Sequence, residues 1–387
     1  MYKIAALTLG RLDWNIWKPI LSCLREKKNI DLNLIALGLH FEKKFGLSYK
    51  AILKDGYQIS QKMKMVYKKS SAKNLSDQFS MYVNFFSKIF VKNNFDFLIL
   101  IGDRYETLSA ACTAVQFKIP VVHIHGGEIS KGSFDELYRH ATTKMSHIHY
   151  VSNNVYKKRI MQMGEEKWRI KVIGSPSLDN LLSSYKLKKN AFCKKYFLDP
   201  EKKIMLVSFN SESINYEKIS YQIETLLKVL SKKNEYNVLI TLTNYDANSD
   251  IINKRILFYE KKFSHIKSVK YLGLDYASAL SLSHLVIGNS SSGIIETSSF
   301  RIPAINLGER QLGRIIPKNV INCLIKFIDI DKAIKKCSSK LFREKVKIAK
   351  NPFRNGSACI KFIKHFSQVL KMNKEKILKK NFKDIKF

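Results

Sequence analysis

Carboxylate side chains of this sequence follow apolar runs at positions where a strand would end. The first is Asp103, which comes directly after the apolar run Phe97–Ile101 and Gly102. A carboxylate at such a place could accept or return a proton in catalysis. Asp with Glu106 three residues later is also the pattern of a helix N-cap with its capping-box partner. The sequence leaves both interpretations of Asp103 open.

The second cluster combines histidines with carboxylates. His123 and His125 are two residues apart, so both would point to one face of a strand, and Glu128 follows after two glycines. Asp135 and Arg139 lie one turn apart on a predicted helix and share a face. Titratable groups that converge near one strand end suit general acid–base catalysis, whereas histidines beside carboxylates can also bind a metal or simply pack in the interior. We favour the interpretation without a metal.

The third cluster is rich in small residues. The stretch 288–293 reads GNSSSG and leads directly into a predicted helix. Backbone N–H groups and the hydroxyls of Ser291 and Ser292, next to Gly293, could bind a phosphate there, and Glu296 could accept hydrogen bonds from both hydroxyls of a ribose. It is not a Walker loop, because no Gly-Lys-Ser/Thr follows. The alternative is a solvated, serine-capped loop.

Single polar residues follow two further apolar runs. Arg11 comes after the first run, where a guanidinium could hold a phosphate, and Asn244 and Asp246 follow the run Val238–Leu242. The carboxyl ends of parallel strands meet at one edge of a sheet, where ligands of such sheets bind. We therefore expect these side chains to join the clusters at binding sites.

Apolar runs alternate with amphipathic stretches along the chain. The runs are short and continuous, which is typical of parallel strands buried on both faces. They predict strands at Ile4–Leu9, Leu32–Leu37, Phe97–Ile101, Pro120–Ile124, Ile148–Val151, Ile170–Ile173, Ile204–Phe209, Val238–Leu242, His284–Ile287 and Pro303–Leu307. Helical patterns lie at Asp77–Phe90, Glu106–Phe117, Ser133–Ser146, Val155–Met163 and Tyr216–Leu230. The alternation predicts an α/β fold with right-handed crossovers.

The alternation pauses near Leu182–Lys203, in a charged stretch that contains a proline. We therefore predict two Rossmann-like, doubly wound domains that face each other across a cleft. The first covers residues 1–185 and carries the acids. The second covers residues 186–370 and binds a nucleotide, and a basic tail follows at 371–387.

The chain is strongly basic, with 68 Lys and Arg against 32 Asp and Glu, a formal charge of +36. The lysines are dispersed, and no RNA-binding signature or zinc-finger spacing appears, so we expect solvated charged faces and no nucleic-acid partner. The tail Lys371–Phe387 is the exception. It could lie weakly on an anionic surface, or it could be a frayed terminal helix.

The rest of the composition is that of a globular protein. Apolar residues make up 45% of the 387 residues, which excludes a disordered or collagen-like chain. No run of about 20 apolar residues could span a membrane, and the N-terminus lacks a signal-peptide pattern. The six cysteines are far apart, which fits reduced thiols and a cytoplasmic location.

Together the clusters resemble the hydrolysing UDP-N-acetylglucosamine 2-epimerases, in particular the sialic-acid-pathway (NeuC-type) branch. The matching blocks run from about Ile4 to about Arg314 and keep the same order: GDRYE, HIHGGE, DE-x-x-RHA-x-TKMSH, KKRI-x-QMGE, IGS, GNSSSGIIE and GERQ-x-GR. The resemblance implies two domains of the glycosyltransferase-B (GT-B) type and a homodimer. It also implies hydrolysis of UDP-N-acetylglucosamine to UDP and N-acetylmannosamine through a 2-acetamidoglucal, without a metal or a nicotinamide cofactor.

The resemblance also assigns catalytic roles to residues. Asp103 and Asp135 match two essential acids of the family. A third family acid often stands where this chain has His125, so either His125 or Glu128 takes that role.

Other residues match substrate-binding positions of the family. Ser291, Ser292 and Gly293 match the phosphate-binding turn, and Glu296 matches the ribose-binding carboxylate. The remaining predicted substrate contacts are Arg11, Arg139, Asn210, Asn244 and Arg310.

Two departures from the family pattern bear on the substrate. Leu9 replaces a glycine in the first turn, and Asn210 replaces a histidine near the diphosphate. An asparagine still donates a hydrogen bond but carries no proton or charge. Three alternatives therefore stay open: a GDP- or UDP-linked diacetamido sugar as substrate, a GT-B glycosyltransferase, and a nucleotide-sugar binder without catalysis.

Overall fold

The chain forms two α/β units, each built on one parallel sheet. The computed structural model describes residues 1–43, 46–64, 72–130, 135–211, 218–243, 249–353 and 356–384. The first unit comprises residues 1–128, 134–180 and 356–387, and the second comprises 129–133 and 181–355. Two doubly wound, Rossmann-like units are the predicted fold class, which is confirmed.

The first unit has a sheet of seven strands in the order β3-β2-β1-β4-β5-β6-β7, all parallel. The strands are β1 (Tyr2–Thr8), β2 (Ile30–Leu37), β3 (Ile59–Met63), β4 (Phe97–Ile101), β5 (Val121–Ile124), β6 (Ile148–Val151) and β7 (Ile170–Val172). Its helices are α1 (Arg11–Arg25), α2 (Tyr49–Lys54), α3 (Ala72–Lys92), α4 (Tyr105–Gln116), α5 (Asp135–Met145), α6 (Asn154–Gln162) and α7 (Pro176–Ser183, which runs into the second unit), with α15 (Ala358–Val369) and α16 (Lys374–Leu378) from the C-terminal part.

The second unit has six parallel strands in the order β10-β9-β8-β11-β12-β13. The strands are β8 (Lys203–Ser208), β9 (Tyr236–Thr241), β10 (Ile266–Val269), β11 (Ser283–Gly288), β12 (Ala304–Leu307) and β13 (Val320–Cys323). Its helices are α8 (Lys189–Tyr196), α9 (Ile219–Leu230), α10 (Ser249–Lys262), α11 (Tyr276–Leu282), α12 (Ser292–Ile295), α13 (Phe327–Ser338) and α14 (Lys340–Lys347).

Burial on both faces explains the continuous apolar runs. In β1, Ile4 and Ala6 pack on the side of α1 and α15, whereas Ala5 and Leu7 pack on the side of α3 and α4. Both faces are therefore withdrawn from water, which favours apolar residues at successive positions. All ten predicted runs are strands.

Three strands were not predicted, namely β3, β10 and β13, and each lies at an edge of its sheet. Most of their residues are only partly buried, as the alternation of half-buried and exposed positions in β3 illustrates. A strand that is solvated on one side carries polar residues, so the pattern that identified the other strands is absent.

The C-terminal part differs from the predicted boundaries, because residues 356–384 lie with the first unit. Phe366 of α15 meets Phe97 of β4 at 5.4 Å between ring centroids, and Phe362 meets Tyr150 of β6 at 4.7 Å. The apolar face of α15 covers the face of the first sheet that α1 leaves open. The predicted second domain, 186–370, therefore extends too far.

The same contact changes one expectation about the cysteines. Cys23 of α1 and Cys359 of α15 form a disulfide, whereas Cys112, Cys193, Cys323 and Cys337 are free. The prediction of reduced thiols is therefore wrong for this pair. Positions 336 residues apart in sequence gave no sign that α15 would return to α1.

In the described part of the chain, no helix has both the length and the apolar character needed to cross a bilayer.

Candidate active site

Asp103 follows β4 and pairs with an arginine instead of capping a helix. The N-cap residue of α4 is Arg104, and its guanidinium binds Glu106 at 3.1 Å. The capping-box interpretation is therefore wrong. The Asp103 carboxylate is 27% exposed and forms an ion pair with Arg139 of α5.

Arg139 is at the centre of the cluster. It is 2% exposed, and it donates one hydrogen bond to the Asp103 carboxylate and another to the His125 carbonyl at 3.0 Å. Burial lowers the pKa of Arg139, but neighbouring carboxylates raise it further, so the net change is upward. These carboxylates are Asp103, Glu128, Asp135 and Glu136. The cluster holds more carboxylates than cations, which provides groups for proton transfer.

His125 lies directly after β5 in a left-handed backbone conformation, with φ of +67°. Such a conformation is strained for a residue with a Cβ and often marks a functional site. Its Nδ1 lies 2.7 Å from Oε1 of Glu128, which makes Nδ1 the donor. Its Nε2 is buried and has no hydrogen-bond partner among the described residues. An imidazole held by a carboxylate, with Nε2 available, can take up and return a proton.

His123 does not join His125, although we expected the two to share a face. The chain leaves the strand conformation at His125, so the two rings have different neighbours. His123 Nε2 donates to the Gly102 carbonyl at 2.7 Å, and its Nδ1 lies 3.2 Å from the Thr143 hydroxyl. Burial lowers the pKa of His123 to about 3. In the described ranges, no three His, Cys, Asp or Glu side chains gather as metal ligands would.

In the turn between β1 and α1, the backbone N–H groups are bound by a carboxylate from the same segment, Asp13. Asp13 accepts hydrogen bonds from the N–H groups of Leu9 at 2.6 Å and Gly10 at 2.9 Å, and burial raises its pKa to about 6. The Leu9 side chain packs in the core. These two N–H groups are therefore committed to Asp13, and Arg11 begins α1 beside them, half-buried.

In the second unit, an asparagine joins the ends of β8 and β11. Gly288 ends β11 with φ of +150°, and a Cβ there would lie 1.9 Å from the Ser208 carbonyl oxygen, so only glycine fits. The amide of buried Asn289 accepts from the Asn210 N–H at 2.7 Å and donates to the Asn210 carbonyl at 2.8 Å. The backbone of Asn210 is thus fixed, and its side chain is half-buried.

The serine-rich turn leads into a helix, as predicted, but that helix is only one turn long. Helix α12 spans only Ser292–Ile295, so its macrodipole is small. Ser291 is the N-cap residue, but its side chain makes no capping bond, and the Gly293 N–H donates to the Ser290 carbonyl at 3.2 Å. A phosphate here would therefore be bound by hydroxyl groups more than by a helix terminus.

Glu296, the predicted ribose ligand, is hydrogen-bonded to a tyrosine. The hydroxyl of Tyr276 donates to Glu296 at 2.9 Å and also contacts the Ser292 hydroxyl. Burial and the Glu296 carboxylate raise the pKa of Tyr276 well above its usual value. The tyrosine therefore stays protonated and holds the carboxylate in place.

Arg310 points at the same turn. Its guanidinium donates to the Asn289 carbonyl at 3.1 Å, and the side chain of Gln311 donates to that carbonyl at 2.9 Å. Asn244 and Asp246 lie outside the described residues.

The predicted residues thus form one group in each unit. In the first unit, the strand ends and α5 bring together Asp103, His125, Glu128, Asp135 and Arg139. In the second, Asn210, Arg310 and the 291–296 turn surround Asn289. Sequence reasoning missed Asn289 and Tyr276. Asn289 is the second residue of the GNSSSG motif at 288–293, so the motif could have indicated it. Tyr276 lies in α11, and no sequence pattern there indicates a contact with Glu296.

Known proteins resemble this chain over most of its length. The family model described as UDP-N-acetylglucosamine 2-epimerase matches residues 22–367. A GDP/UDP-N,N'-diacetylbacillosamine 2-epimerase (hydrolyzing) from Campylobacter jejuni is 35% identical over 99% of both chains. Polysialic acid biosynthesis protein P7 from Escherichia coli is 32% identical over 100% of this chain and 98% of its own.

A solved structure shares the fold. It is a putative UDP-N-acetylglucosamine 2-epimerase from Listeria monocytogenes, with a TM-score of 0.81 and 14% identity, and the match covers 96% of this chain and 98% of that one. At that identity the likeness concerns the fold alone. The family model and the two relatives go further: this chain belongs to the UDP-N-acetylglucosamine 2-epimerase family.

Proposed function

We propose that the protein is a hydrolysing 2-epimerase that converts UDP-N-acetylglucosamine and water to N-acetylmannosamine and UDP. The observation that carries the proposal is the first-unit cluster. One buried arginine, Arg139, binds the Asp103 carboxylate and the backbone carbonyl of His125, and the His125 ring is paired with Glu128. Such a surplus of proton acceptors is what removal of a proton from carbon requires.

The first step is elimination. A base of the cluster takes the C2 proton, the C2–H electron pair becomes the C1–C2 double bond, and the C1–O bond breaks with UDP as the leaving group. The product is a 2-acetamidoglucal. We assign this proton transfer to the acids Asp103 and Asp135 and to His125, without choosing among them.

The second step is hydration. Water adds its oxygen to C1, and a proton returns to C2 on the opposite face, which inverts the configuration at that carbon. The His125–Glu128 pair suits this step, because an imidazole with Nε2 available can take a proton from water and pass one on. Together the two steps consume one water.

We assign nucleotide binding to the second unit. The hydroxyls of Ser291 and Ser292 would hold a phosphate, the Asn210 amide would donate to the diphosphate, and Glu296 would accept from the ribose. Arg310 supports the turn through Asn289. We also assign phosphate binding to Arg11, because an anionic leaving group needs positive charge.

A second substrate is favoured by a specific observation. The relative from Campylobacter jejuni, 35% identical over nearly the whole length, is named for N,N'-diacetylbacillosamine linked to GDP or UDP. A 2,4-diacetamido sugar has the same acetamido carbon at C2, so the chemistry would be unchanged. The sialic-acid-type pathway and the homodimer stay predictions of the resemblance, and the cytoplasmic location stays a prediction from the sequence.

The test is incubation in deuterated water with UDP-N-acetylglucosamine and, separately, with UDP- and GDP-linked diacetylbacillosamine, followed by NMR. We expect free 2-epimeric sugar with deuterium at C2 and release of the nucleoside diphosphate. No reaction with any of the three would contradict the proposal. Transfer of sugar to an added glycan acceptor, with the C2 proton retained, would favour a glycosyltransferase instead.

A further inference from the structure

The basic C-terminal segment 374–384, here called the strap, is docked on the first unit. Ile377 is 1% exposed and belongs to the core. The guanidinium of buried Arg169 donates to the carbonyls of Ile377 at 2.8 Å and Lys379 at 2.6 Å, and also to the His147 carbonyl, which precedes β6. One side chain thus ties the end of α16 to the sheet, and the strap is not a frayed helix.

A glycine allows a second attachment. The ring of Phe382 lies where a Cβ on Gly164 would be, at 2.3 Å, and the Lys383 N–H donates to the Gly164 carbonyl at 3.0 Å. These contacts place the strap beside the end of α6, and the ammonium of Lys144 in α5 lies 5.1 Å from the centroid of the Phe382 ring.

Lys380 of the strap uses all three of its ammonium protons. It donates to the carbonyls of Lys144 and Ser146 at 2.7 Å each, and it forms an ion pair with Glu165 at 2.8 Å. Lys144 is in the last turn of α5, and Ser146 follows the helix. The final carbonyls of a helix lack partners within it and carry partial negative charge, so a cation there acts as a C-cap.

Glu165 makes this burial of a lysine possible. Its carboxylate also accepts from Lys144 at 2.7 Å and from His149 at 3.2 Å. Burial alone would raise the pKa of Glu165, but the bonds from His149, Lys144 and Lys380 lower it to about 2. The carboxylate stays ionised and holds the two lysines together at the end of α5.

Helix α5 is short, and its other end carries the candidate chemistry. Its eleven residues include Asp135 and Arg139. The Thr143 hydroxyl links the last turn back to the Arg139 carbonyl at 3.0 Å. Fraying of the last turn would therefore reach Arg139, which positions Asp103 and His125.

We propose that Lys380 is a positioning residue, which caps α5 from the far end of the chain and thereby holds Arg139 in place. The expected effect on turnover rests on the proposed function, whereas the expected capping of α5 is independent of it.

The experiment compares Lys380→Met with Lys379→Met by hydrogen exchange of α5 peptides and by steady-state kinetics. Lys379 is the matched control, because it lies in the strap and its ammonium pairs with exposed Glu375 at 2.6 Å. For Lys380→Met we expect at least tenfold faster exchange in α5. We also expect a kcat lowered by about tenfold to a hundredfold, with KM changed less than about threefold, because misplacement acts on the chemical step. Lys380→Arg should recover part of both.

A double variant separates the cap from the buried charge. In Lys380→Met the buried Glu165 carboxylate keeps Lys144 and His149 but loses one donor. Adding Glu165→Gln removes the charge of that carboxylate, so unfolding stability should partly recover while α5 still exchanges fast. Equal exchange in Lys380→Met and Lys379→Met would overturn the capping role. Fast exchange with unchanged kcat would overturn the positioning role. Failure of the wild type to turn over any nucleotide sugar would count against the proposed function alone, since exchange still tests the cap.

Discussion

The two units bury polar groups of different kinds. Of the nine histidines, only His265 and His284 belong to the second unit, so seven lie in the first. The first unit also buries Arg139 and Glu165. The second unit relies on neutral amides. Asn319, for example, donates to the Thr297 hydroxyl at 2.8 Å and to the Ile302 carbonyl at 2.7 Å. Asn289 likewise donates to the Asn210 carbonyl.

The difference follows from what each unit would do. A site that moves protons needs groups that can titrate, and their neighbours must hold charge in a low dielectric. A turn that positions hydroxyls for a phosphate needs only fixed donors and acceptors, which neutral amides supply at any pH. Changes in the first unit should therefore alter turnover, and changes in the second should alter nucleotide binding.

The sharpest test of this division is Asp103→Asn. We expect turnover to fall by about a thousandfold, because the variant loses a proton acceptor and the partner of Arg139, while UDP affinity changes less than about threefold. Kinetics and calorimetric titration of UDP measure the two effects, with Asp77→Asn on the exposed face of α3 as control. An unchanged rate would show that Asp103 only neutralises Arg139.

Glu296→Ala should produce the reverse pattern. Loss of a charged acceptor for two hydroxyls should weaken UDP binding by about thirtyfold. With saturating substrate the rate should stay within about threefold of the wild type. Calorimetric titration and a full substrate curve provide the comparison. Loss of kcat without loss of UDP affinity would contradict the assignment of the nucleotide to the second unit.

Acid should unfold the first unit before the second. Burial lowers the pKa of His123 and His147 to about 3 and that of His40 and His365 to about 4, whereas the second unit has one such group, His284. These histidines are neutral in the folded protein, but below about pH 6.5 they take up protons in the unfolded chain. Stability is therefore full above about pH 6.5 and falls as the pH drops toward 4, by on the order of 2 kcal/mol at pH 5 for His123 alone.

Tryptophan fluorescence measures this directly, since Trp14, Trp17 and Trp168 all lie in the first unit. In urea at pH 5, the fluorescence transition should precede the loss of far-UV circular dichroism, and the two should approach each other at pH 7. Asp13 works in the opposite direction, because its raised pKa favours the folded state as pH falls from about 6 to 4. If the fluorescence and circular dichroism transitions coincided at both pH 5 and pH 7, the two units would not differ in their stability toward acid.

Tyr276→Phe should give the smallest effect. It removes the donor that orients Glu296, so UDP affinity should fall by about fivefold without a change in kcat. The comparison with Glu296→Ala shows whether the tyrosine acts through the carboxylate, because the double variant should then be no weaker than Glu296→Ala. Additive losses would mean that Tyr276 contacts the nucleotide itself.

Residue patterns predicted the interior of each sheet and missed three of the four edge strands. Strands such as β4 and β6 are buried on both faces, and their apolar runs gave bounds that match or nearly match the structure. Edge strands β3, β10 and β13 were not predicted, because solvated positions admit polar residues. The return of α15 to the first sheet was also missed, since a pairing between Phe97 and Phe366 leaves no local pattern.

The candidate site shows the same limit. Motif spacing brought Asp103, His125 and Arg139 into one group, and they meet in the structure. Their partners depend on backbone geometry that spacing does not encode. The left-handed turn at His125 separates it from His123, which period-two reasoning had placed on the same face.

Because the first unit includes residues from the C-terminal part of the chain, the order of synthesis determines when that unit can be completed. Residues 181–355 leave the ribosome before residues 356–384, which the first unit needs for α15 and for the lysine at the end of α5. Most of the first unit is thus translated first, but that unit is completed last. A stop codon between Asn355 and Lys380 would leave the second unit whole and damage residues made hundreds of codons earlier.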